Sequence, residues 1–288
     1  MKKIISLALA LVMLVCCLAF ASCNKDEGEK VKIIDIQLTQ EEYAFVVKEG
    51  NTALKQDMDA FLAQIKESGE FQTLVDKYFK GEGEKVGYPV AALDATNTDD
   101  KFVVVTNCPF EPFEYLGSDG KIYGLDIEIA AAYAKSKNLE LVVKNLPEFD
   151  TIFTEVNAGY ADVGMAGITI SADREASYDF STPYYNASQK IIVAADNTAF
   201  DACTTVAQVE EIIAGLAKDT KVGYQTGTTG GMYVVGNEDW GYNGFANLEG
   251  KGYTTALDAV KDLVNGNLYA VVVDEAPGNA IVRVVNGN

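Results

Sequence analysis

The stretch Gly124–Tyr185 reads GLDIEIAAAYAKSKNLELVVKNLPEFDTIFTEVNAGYADVGMAGITISADREASYDFSTPYY. Its first part carries apolar side chains at helical spacing, and the strand pattern LELVVKN follows. A second helical segment ends at Gly159, and the apolar run ADVGMAGIT after it is typical of a short buried strand. Strands that alternate with helices in this way predict an α/β fold with mainly parallel sheets.

The same alternation continues on both sides of this stretch. KFVVVT (Lys101–Thr106) predicts a strand before it. After it, helix, strand, helix and strand are predicted by the segments TTVAQVEEIIAGLAK, KVGYQTG, TTALDAVKDLVNG and LYAVVVDE. Thr205 and Gln208 have the spacing of a capping box in the first of these helices. Because the extended segment KIIVAAD separates the two rounds, the sequence predicts two lobes.

The composition excludes several classes of function. The 288 residues are 48% hydrophobic, which is enough for one large domain or two small lobes. Acidic residues outnumber basic ones by 42 to 23, and a net charge of −19 repels a phosphate backbone, so no nucleic-acid partner is expected. The chain has no histidine, which removes the usual general base and most zinc sites. Neither a metal nor a cofactor is expected.

Residues 1–22 have the pattern of a secretory signal, with a basic start, an apolar run and small residues at its end. FASC at this end resembles a bacterial lipoprotein box, which would make Cys23 the lipidated first residue and residues 23–30 a charged tether. Ordinary cleavage at Ala19–Ala21 and a retained membrane anchor are the two alternatives. We expect a protein on the extracellular face of the cell membrane, attached by its lipid only, or a secreted or periplasmic protein without the lipid.

Two cysteines remain after Cys23, namely Cys108 and Cys203, and they either pair or remain two separate small buried thiols. The segment Asp94–Asp100 has acidic and polar residues in a pattern similar to a calcium loop. It lacks the glycine turn, and Val105 stands where a glutamate is needed. We therefore interpret it as part of a solvated linker, residues 80–100, in which periodicity is lost.

The front of the chain predicts a strand and two helices. EYAFVVKEGN has the pattern of a strand that ends in turn residues. Thr52 is a suitable N-cap for the helix after it, and Gly69 is a suitable stop. A second amphipathic helix continues to Phe79.

Taken together, these segments resemble the bacterial extracellular solute-binding proteins of polar amino acid ABC importers. Gly124–Tyr185 carries most of the resemblance, which TNCPFEPFEYLGSDGKIYGLD, KVGYQTGTTGG and AVVVDEAPG extend on both sides. The resemblance implies a two-lobe, periplasmic-binding-protein-like fold of type II, with a hinge of two crossing strands. It also implies a protein that captures a free amino acid between its lobes and delivers it to the permease subunits of an importer.

The order of the segments differs from that of the family. In the family, the stretch that resembles EYAFVVKEGN…KYF follows the one that resembles VVVDE, whereas here it comes first. The sequence therefore resembles a circular permutant in which residues 80–100 connect the usual ends. The two crossing strands are expected within Glu42–Ala53 and Gln189–Ala199, which have similar composition.

The resemblance also implies how the chain divides between the lobes. Residues 31–44 and 193–288 are expected to form the lobe that carries Asp274. Residues 45–192, which include the linker, are expected to form the lobe that carries Arg174. A monomer is expected.

A free amino acid needs partners for its carboxylate and its ammonium group. Arg174 follows a strand end, and its guanidinium can hold a carboxylate with two parallel hydrogen bonds. Asp274 ends an apolar strand, where a carboxylate stands over a crevice. The resemblance implies that Arg174 binds the carboxylate, that Asp274 binds the ammonium, and that Gly167 and Thr169 touch the ligand. The alternatives are a surface arginine and a solvated acid at a strand end.

The loop GTTGG, Gly227–Gly231, follows a strand and opens a helix, which presents free N–H groups to an anion. It is not a phosphate loop, because no Gly-Lys-Ser/Thr follows. The resemblance implies that Thr229 and the neighbouring backbone at Gly230 bind the ligand carboxylate. A plain turn between strand and helix is the alternative.

Four further residues are candidates for the walls of the site. Phe110 and Phe149 match the aromatic walls of the family, although Phe149 could instead be a core residue. Asn107 stands where cation-binding members often carry an aspartate, and Gln225 where glutamine binders can carry a lysine. Neutral amides at both positions predict a ligand with a neutral polar side chain.

The leading interpretation is therefore a binding protein that is not an enzyme. The second is an enzyme on the same scaffold that acts on a prephenate-like acid. The third is a ligand-sensing module of a receptor. The Arg174–Asp274 pair suits a zwitterion, and the absence of histidine leaves no such residue for proton transfer.

Overall fold

The computed structural model describes residues 28–287. In chain order, its strands are β1 (Val31–Ile34), β2 (Glu41–Tyr43), β3 (Val46–Lys48), β4 (Lys101–Thr106), β5 (Tyr115–Leu116), β6 (Ile122–Tyr123), β7 (Glu140–Asn145), β8 (Val163–Gly164), β9 (Tyr178–Phe180), β10 (Tyr185–Ala187), β11 (Gln189–Ala194), β12 (Thr220–Gln225), β13 (Leu248–Tyr253) and β14 (Ala270–Asp274). Its helices are α1 (Thr52–Ser68), α2 (Glu70–Phe79), α3 (Leu125–Ser136), α4 (Thr151–Ala158), α5 (Ala172–Glu175), α6 (Val206–Ala214), α7 (Thr229–Val235), α8 (Ala256–Val264) and α9 (Glu275–Asn286), with a 3-10 turn at Glu238–Trp240. The predicted signal and the lipidation at Cys23 lie outside the described residues.

Two five-stranded sheets organise the chain. The first has the strand order β1-β11-β14-β12-β13, and we call it, with its helices, the Asp274 lobe. The second has the order β7-β4-β8-β3-β9, and we call it, with its helices, the Arg174 lobe. The prediction of an α/β fold with two lobes is confirmed.

Both sheets are mixed, with four of the five strands in each running in one direction. In each sheet, two pairings are parallel and two are antiparallel. The parallel strands are joined by crossover helices, as in any βαβ unit. Only β11 in the first sheet and β3 in the second run against the other four strands. Each is the strand by which a segment that has crossed from the other lobe enters its new sheet.

The hinge consists of two short strands. β2 and β10 pair antiparallel, with Tyr185 opposite Tyr43 and Ala187 opposite Glu41. β2 leads from β1 into β3, and β10 leads from β9 into β11. The predicted boundary between 192 and 193 would cut β11, which pairs with β14 from Gln189 to Val193. Strand pairing therefore places the second crossing earlier, at β10.

Each sheet is buried on both faces, which explains the nearly continuous apolar runs in its central strands. In β4, Phe102 and Val104 face the cluster under α1, α2 and α3, whereas Val103 and Val105 face the cluster under α4. In β14, alternate residues divide in the same way between two clusters of the Asp274 lobe. The carboxyl ends of these central strands are thereby held rigidly beside the gap between the lobes.

Residues 80–100 are attached to the Arg174 lobe along part of their length. Tyr88 exchanges backbone hydrogen bonds of 2.9 Å with Ile122, and the Ala91 amide donates to Val143 at 2.8 Å. The acidic segment Asp94–Asp100 that follows is mostly exposed. The interpretation of residues 80–100 as a solvated linker therefore needs one correction, because Tyr88 and Ala91 form backbone hydrogen bonds with residues of β6 and β7.

The sequence predicted most of the helix caps and stops correctly. Gly69 adopts the left-handed conformation at the end of α1, and Thr205 and Gln208 form the capping box of α6. The cap of α1 is Asn51 and not Thr52, because the Asn51 side chain accepts the hydrogen bond from the Leu54 amide. The prediction for this cap was wrong by one residue.

Three features of the described residues bear on function. Cys108 and Cys203 are both free thiols, so the alternative in which they pair is wrong. Between residues 28 and 287, no group of three or more Cys, Asp or Glu side chains could hold a metal ion. Within the same range, no helix has both the length and the apolar character that crossing a membrane requires.

Candidate ligand-binding site

A small cavity lies between the two lobes, at the carboxyl ends of central strands from both sheets. Asn107 follows β4, Gln225 ends β12 and Asp274 ends β14. Nine of the ten predicted binding residues line this cavity: Asn107, Phe110, Phe149, Gly167, Thr169, Arg174, Gln225, Thr229 and Asp274. Glu114, Ala166 and Thr228 complete the lining.

Arg174 is held at the cavity by backbone and aromatic contacts. Ser171 caps the short helix α5 by accepting a hydrogen bond from the Arg174 amide at 3.3 Å. The guanidinium donates to the Thr169 carbonyl at 2.7 Å and to the Gly227 carbonyl of the other lobe at 3.0 Å. Burial lowers the pKa of Arg174, although nearby acids oppose this. A cation held in this way remains charged, and no carboxylate among residues 28–287 forms an ion pair with it.

Three aromatic rings surround the same guanidinium. Its central carbon lies 5.5 Å from the ring centre of Phe149, 5.1 Å from that of Phe153 and 5.5 Å from that of Trp240. Cation–π attraction of this kind strengthens when the group is desolvated. Phe149 was predicted, but Phe153 and Trp240 were missed. Trp240 is the single tryptophan of the chain, which was the one signal available for it.

The glycine-rich loop approaches the cavity through Thr228 and Thr229, and not through Gly230. A side chain at Gly230 would come within 2.9 Å of Gln189 Oε1 and 3.0 Å of the Val272 carbonyl. The glycine therefore allows α7 to pack closely against β14, and the contact between its backbone and the ligand stays a prediction. Gly227 has a φ of +79°, and a Cβ there would overlap the Asp150 carboxylate of the other lobe.

Asp274 belongs to the same cavity lining and is 5% exposed. Its Oδ1 accepts a hydrogen bond of 2.5 Å from the hydroxyl of Tyr43, a hinge residue that the sequence did not suggest. Burial, and secondly the charge of Glu41, raise the pKa of Asp274 to about 7. Such a carboxyl group gains most from a ligand that brings a positive charge.

Glu41 is a second buried acid beside the site. The sequence reasoning missed it. Its carboxylate accepts hydrogen bonds from Thr169 Oγ1 at 2.8 Å and from Thr229 Oγ1 at 2.9 Å. These donors come from different lobes. The sequence LTQEEYAF gives no signal that the first glutamate is buried and the second exposed.

The amides of Asn107 and Gln225 join the lobes across the cavity. Gln225 Nε2 donates to Asn107 Oδ1 at 2.9 Å, and Asn107 Nδ2 donates to the Leu146 carbonyl at 2.8 Å. Gln225 Oε1 is buried, and no hydrogen-bond partner for it is found among residues 28–287. This end of the cavity therefore offers a neutral acceptor.

Glu114 is a third buried acid at the site, and the second that the sequence reasoning missed. It is fully buried in the cavity lining, and neither of its oxygens has a hydrogen-bond partner among the described residues. Burial raises its pKa well above the usual range, and the charges of Asp126 and Asp274 add to this. Its position in the quoted motif CPFEPFE was visible, but its burial was not.

The sequence profile of the bacterial extracellular solute-binding proteins, family 3, matches residues 102–271. The chain belongs to this family. It is 34% identical over 189 residues to the probable histidine-binding protein of Neisseria gonorrhoeae, which is 65% of this chain and 63% of that protein. It is 27% identical over 177 residues to the L-cystine-binding protein TcyJ of Escherichia coli (strain K12), with 62% and 60% of the chains covered. The family member thus spans less than two thirds of the length of these relatives.

Solved structures of the same kind of protein superimpose on this family member. An ancestral arginine-binding protein bound to arginine matches with a TM-score of 0.55 at 31% identity, covering 67% of this chain and 77% of that one. The ancestral amino acid-binding protein AncCDT-1, described as a precursor of cyclohexadienyl dehydratase, matches with a TM-score of 0.55 at 26% identity. This match covers 64% of this chain and 75% of that one. The two-lobe fold of type II is confirmed.

Proposed function

We propose that this protein captures a free amino acid between its lobes and delivers it to the permease subunits of an ABC importer. The observation that carries the proposal is the presence of Arg174 and Asp274 in the lining of one cavity. A guanidinium that has no carboxylate partner in the described part of the chain and a buried acid with a raised pKa together match the two charges of a zwitterion. The related proteins are named for histidine, cystine and arginine binding, which supports the same class of ligand.

The side chain of the ligand is proposed to be polar and neutral. Asn107 and Gln225 are neutral amides, and Gln225 presents an acceptor without a partner among the described residues. An N–H donor on the ligand would satisfy this acceptor. The aromatic rings of Phe110 and Phe149 would cover the aliphatic part of the side chain.

The cellular setting belongs to the same proposal. The family is extracellular by its description. We propose that the protein works as a monomer, anchored to the outer face of the membrane through a lipid on Cys23, or free if the signal is cleaved in the ordinary way.

A thermal-shift screen followed by calorimetry tests the function. The purified protein is melted with 1 mM of each common amino acid and with L-cystine. A ligand that binds only the folded state raises stability by RT ln(1 + [L]/Kd), so micromolar binding adds about 4 kcal/mol at this concentration. We expect one polar amino acid, or a few, to raise the Tm by several degrees. A flat response to the whole panel would refute the proposal.

An enzyme that acts on a prephenate-like acid is the second candidate. It is favoured by the buried Glu114, whose raised pKa suits a proton donor. The similarity to a structure described as a precursor of cyclohexadienyl dehydratase points the same way. Incubation of prephenate with the protein, with the Glu114→Gln variant and without protein decides between the candidates. Consumption that requires Glu114 would establish the enzyme.

A further inference from the structure

Glu41 is a buried acid in hinge strand β2, directly behind the candidate site. It is 7% exposed and does not itself line the cavity. Four donors reach its carboxylate: Thr39 Oγ1 at 2.7 Å, Thr169 Oγ1 at 2.8 Å, Thr229 Oγ1 at 2.9 Å and Gln189 Nε2 at 3.4 Å. A buried charge needs such partners, because an unsatisfied one is costly. These contacts show that Glu41 is a buried acid hydrogen-bonded to two residues of the cavity lining, Thr169 and Thr229.

The carboxylate decides the direction of the Thr169 hydroxyl. An ionised carboxylate only accepts hydrogen bonds, so Thr169 gives its single hydroxyl hydrogen to Glu41. Both lone pairs of Thr169 Oγ1 are then left for donors on the cavity side. An ammonium group has three N–H donors and no acceptor, so it is the natural partner for a hydroxyl fixed in this direction.

Glu41 also connects the two lobes. Thr169 follows β8 in the Arg174 lobe, whereas Thr229 begins α7 in the Asp274 lobe. Gln189, at the start of β11, donates to Thr229 Oγ1 at 2.8 Å and extends the network. The carboxylate therefore has its full set of partners only when the lobes are together, as they are here.

We propose that Glu41 is a positioning residue for ammonium recognition, which acts by orienting the Thr169 hydroxyl without touching the ligand. The inference rests on the proposed function of the same cavity. The ammonium subsite would then depend on two acids, Asp274 in the cavity lining and Glu41 behind it. The two already interact, because, in addition to burial, the charge of Glu41 raises the pKa of Asp274. Glu41 is thereby a determinant of affinity that lies outside the cavity wall.

A double-mutant cycle tests the inference. The probe is whichever of L-histidine, L-arginine, L-cystine and L-glutamine has the lowest Kd for the unchanged protein by calorimetry. We expect Glu41→Gln, which keeps the shape but removes the charge, to raise this Kd roughly 10- to 100-fold. Thr169→Val should raise the Kd to a similar extent. The Kd of the double variant should not exceed that of the single variant that binds less tightly, because both substitutions break the same interaction. Losses that multiply in the double variant would overturn the inference.

The neighbouring acid provides the matched control. Glu42 precedes Tyr43 in the same strand but is exposed, so Glu42→Gln should bind the probe as the unchanged protein does. Circular dichroism and melting curves establish that each variant is folded. If Glu42→Gln weakens binding as much as Glu41→Gln, net charge and not position explains the effect, and the inference fails.

A second readout needs no ligand. Removing the charge of Glu41 should lower the pKa of Asp274 from about 7, whereas Glu42→Gln should leave it unchanged. Carboxyl carbon resonances followed by NMR titration measure this pKa. An unchanged pKa in Glu41→Gln would contradict the inference even if no probe binds. Failure of the unchanged protein to bind any amino acid of the thermal-shift panel would instead refute the proposed function.

Discussion

Arg174 shows how a cleft residue can be rigid and still available. Each terminal nitrogen of its guanidinium donates to a backbone carbonyl, and the plane is surrounded by aromatic rings. A guanidinium has five N–H donors, so these two contacts leave donors for a ligand. The side chain therefore need not move far to bind a carboxylate, and little rotamer entropy is lost on binding.

The first prediction is that Arg174→Ala removes binding while the protein stays folded. Loss of one partner of a desolvated charge pair costs roughly 3–5 kcal/mol, which corresponds to a Kd at least about 100-fold higher. Arg174→Lys is the matched control. It should recover part of the affinity, since it keeps the charge but not the planar fork. Calorimetry with the amino acid found in the screen measures both. A Kd for Arg174→Ala within a few-fold of the parent would show that the ligand binds elsewhere.

The second prediction concerns pH. An ammonium ligand needs Asp274 ionised, and the pKa of this group is raised to about 7. Protonation therefore competes with binding below pH 7, and the Kd should rise about tenfold for each further pH unit. Above pH 8 it should be constant. Calorimetry between pH 5 and 8.5, with an amino acid whose side chain does not titrate in this range, measures the profile.

The control for this profile is Asp274→Asn. It should bind weakly, and its Kd should have lost most of the pH dependence. If Asp274→Asn retains the full slope, another acid, such as Asp126 with a pKa raised to about 7 by burial, controls the profile.

At the scale of single elements, the start of α3 depends on a glycine. Gly124 has a φ of +143°, and a Cβ there would overlap the Phe113 carbonyl oxygen. The helix that follows places Asp126 where its Oδ2 accepts a hydrogen bond from the Gly167 amide at 3.0 Å. The backbone conformation of Gly124 thus helps to place Asp126, which holds the Gly167 loop at the cavity.

The third prediction follows from this turn. Gly124→Ala should destabilise the protein by about 2–4 kcal/mol, because it adds both backbone strain and overlap. Gly120→Ala is the matched control. Its φ of +77° is also left-handed, but nothing lies within 4 Å of the added carbon, so about 1 kcal/mol is expected. Urea unfolding measures both free energies. Equal losses in the two variants would mean that the overlap at Gly124 relaxes without cost.

The hinge is the element that permits closure. Each of its strands has three paired residues, and short connections join these strands to sheet strands of both lobes. A short antiparallel pair of this kind can absorb a rotation without disturbing either core. Contacts such as the one between Gln225 and Asn107 form only when the lobes are together.

The fourth prediction is that ligand binding compacts the molecule. A ligand held between Arg174 and Asp274 adds contacts to both lobes, so it should favour the closed arrangement. Small-angle scattering should show a smaller radius of gyration with saturating ligand than without it. An unchanged radius would mean that the lobes are already closed, or do not move, before the ligand binds.

At the scale of the whole molecule, the two outer segments of the described chain lie side by side. The amides of Lys30 and Val31 donate to Asn286 Oδ1 at 2.9 and 3.2 Å. Ile33 and Val285 pack against the same cluster of the Asp274 lobe. This proximity is what a circular permutation of the family order requires, and the permutation itself stays a prediction.

The fifth prediction tests this permutation with a rewired gene. A short flexible linker joins Asn288 to Lys30, and the chain is opened within Asp94–Asp100. These residues are almost all exposed, and permutation is tolerated where the cut falls in an exposed loop and the joined ends are close. The rewired protein should fold and bind the same amino acid with a similar Kd. A control opened inside β4, at Val104, should not fold. Insolubility of the first rewired protein would count against the permutation.

The sequence by itself determined the α/β class, the two lobes and most of the cavity lining. These features have local signals, since a central strand is an apolar run and the polar residue that ends it stands at the sheet edge. Asp274 was placed in this way and Arg174 as a residue just past a strand end, whereas Asn107 and Gln225 were placed by the resemblance to the family. All four line the cavity. The resemblance to the family supplied their proposed roles.

Only the tertiary structure decided which residues surround these four. Tyr43 meets Asp274 across 231 positions of the chain, and Glu41 meets Thr229 across 188. No local pattern separates the buried Glu41 from the exposed Glu42, because burial at the hinge depends on how two distant sheets are placed. The mixed strand directions have the same cause. They arise because two segments return through one hinge, which is a property of the complete chain path and not of any single strand.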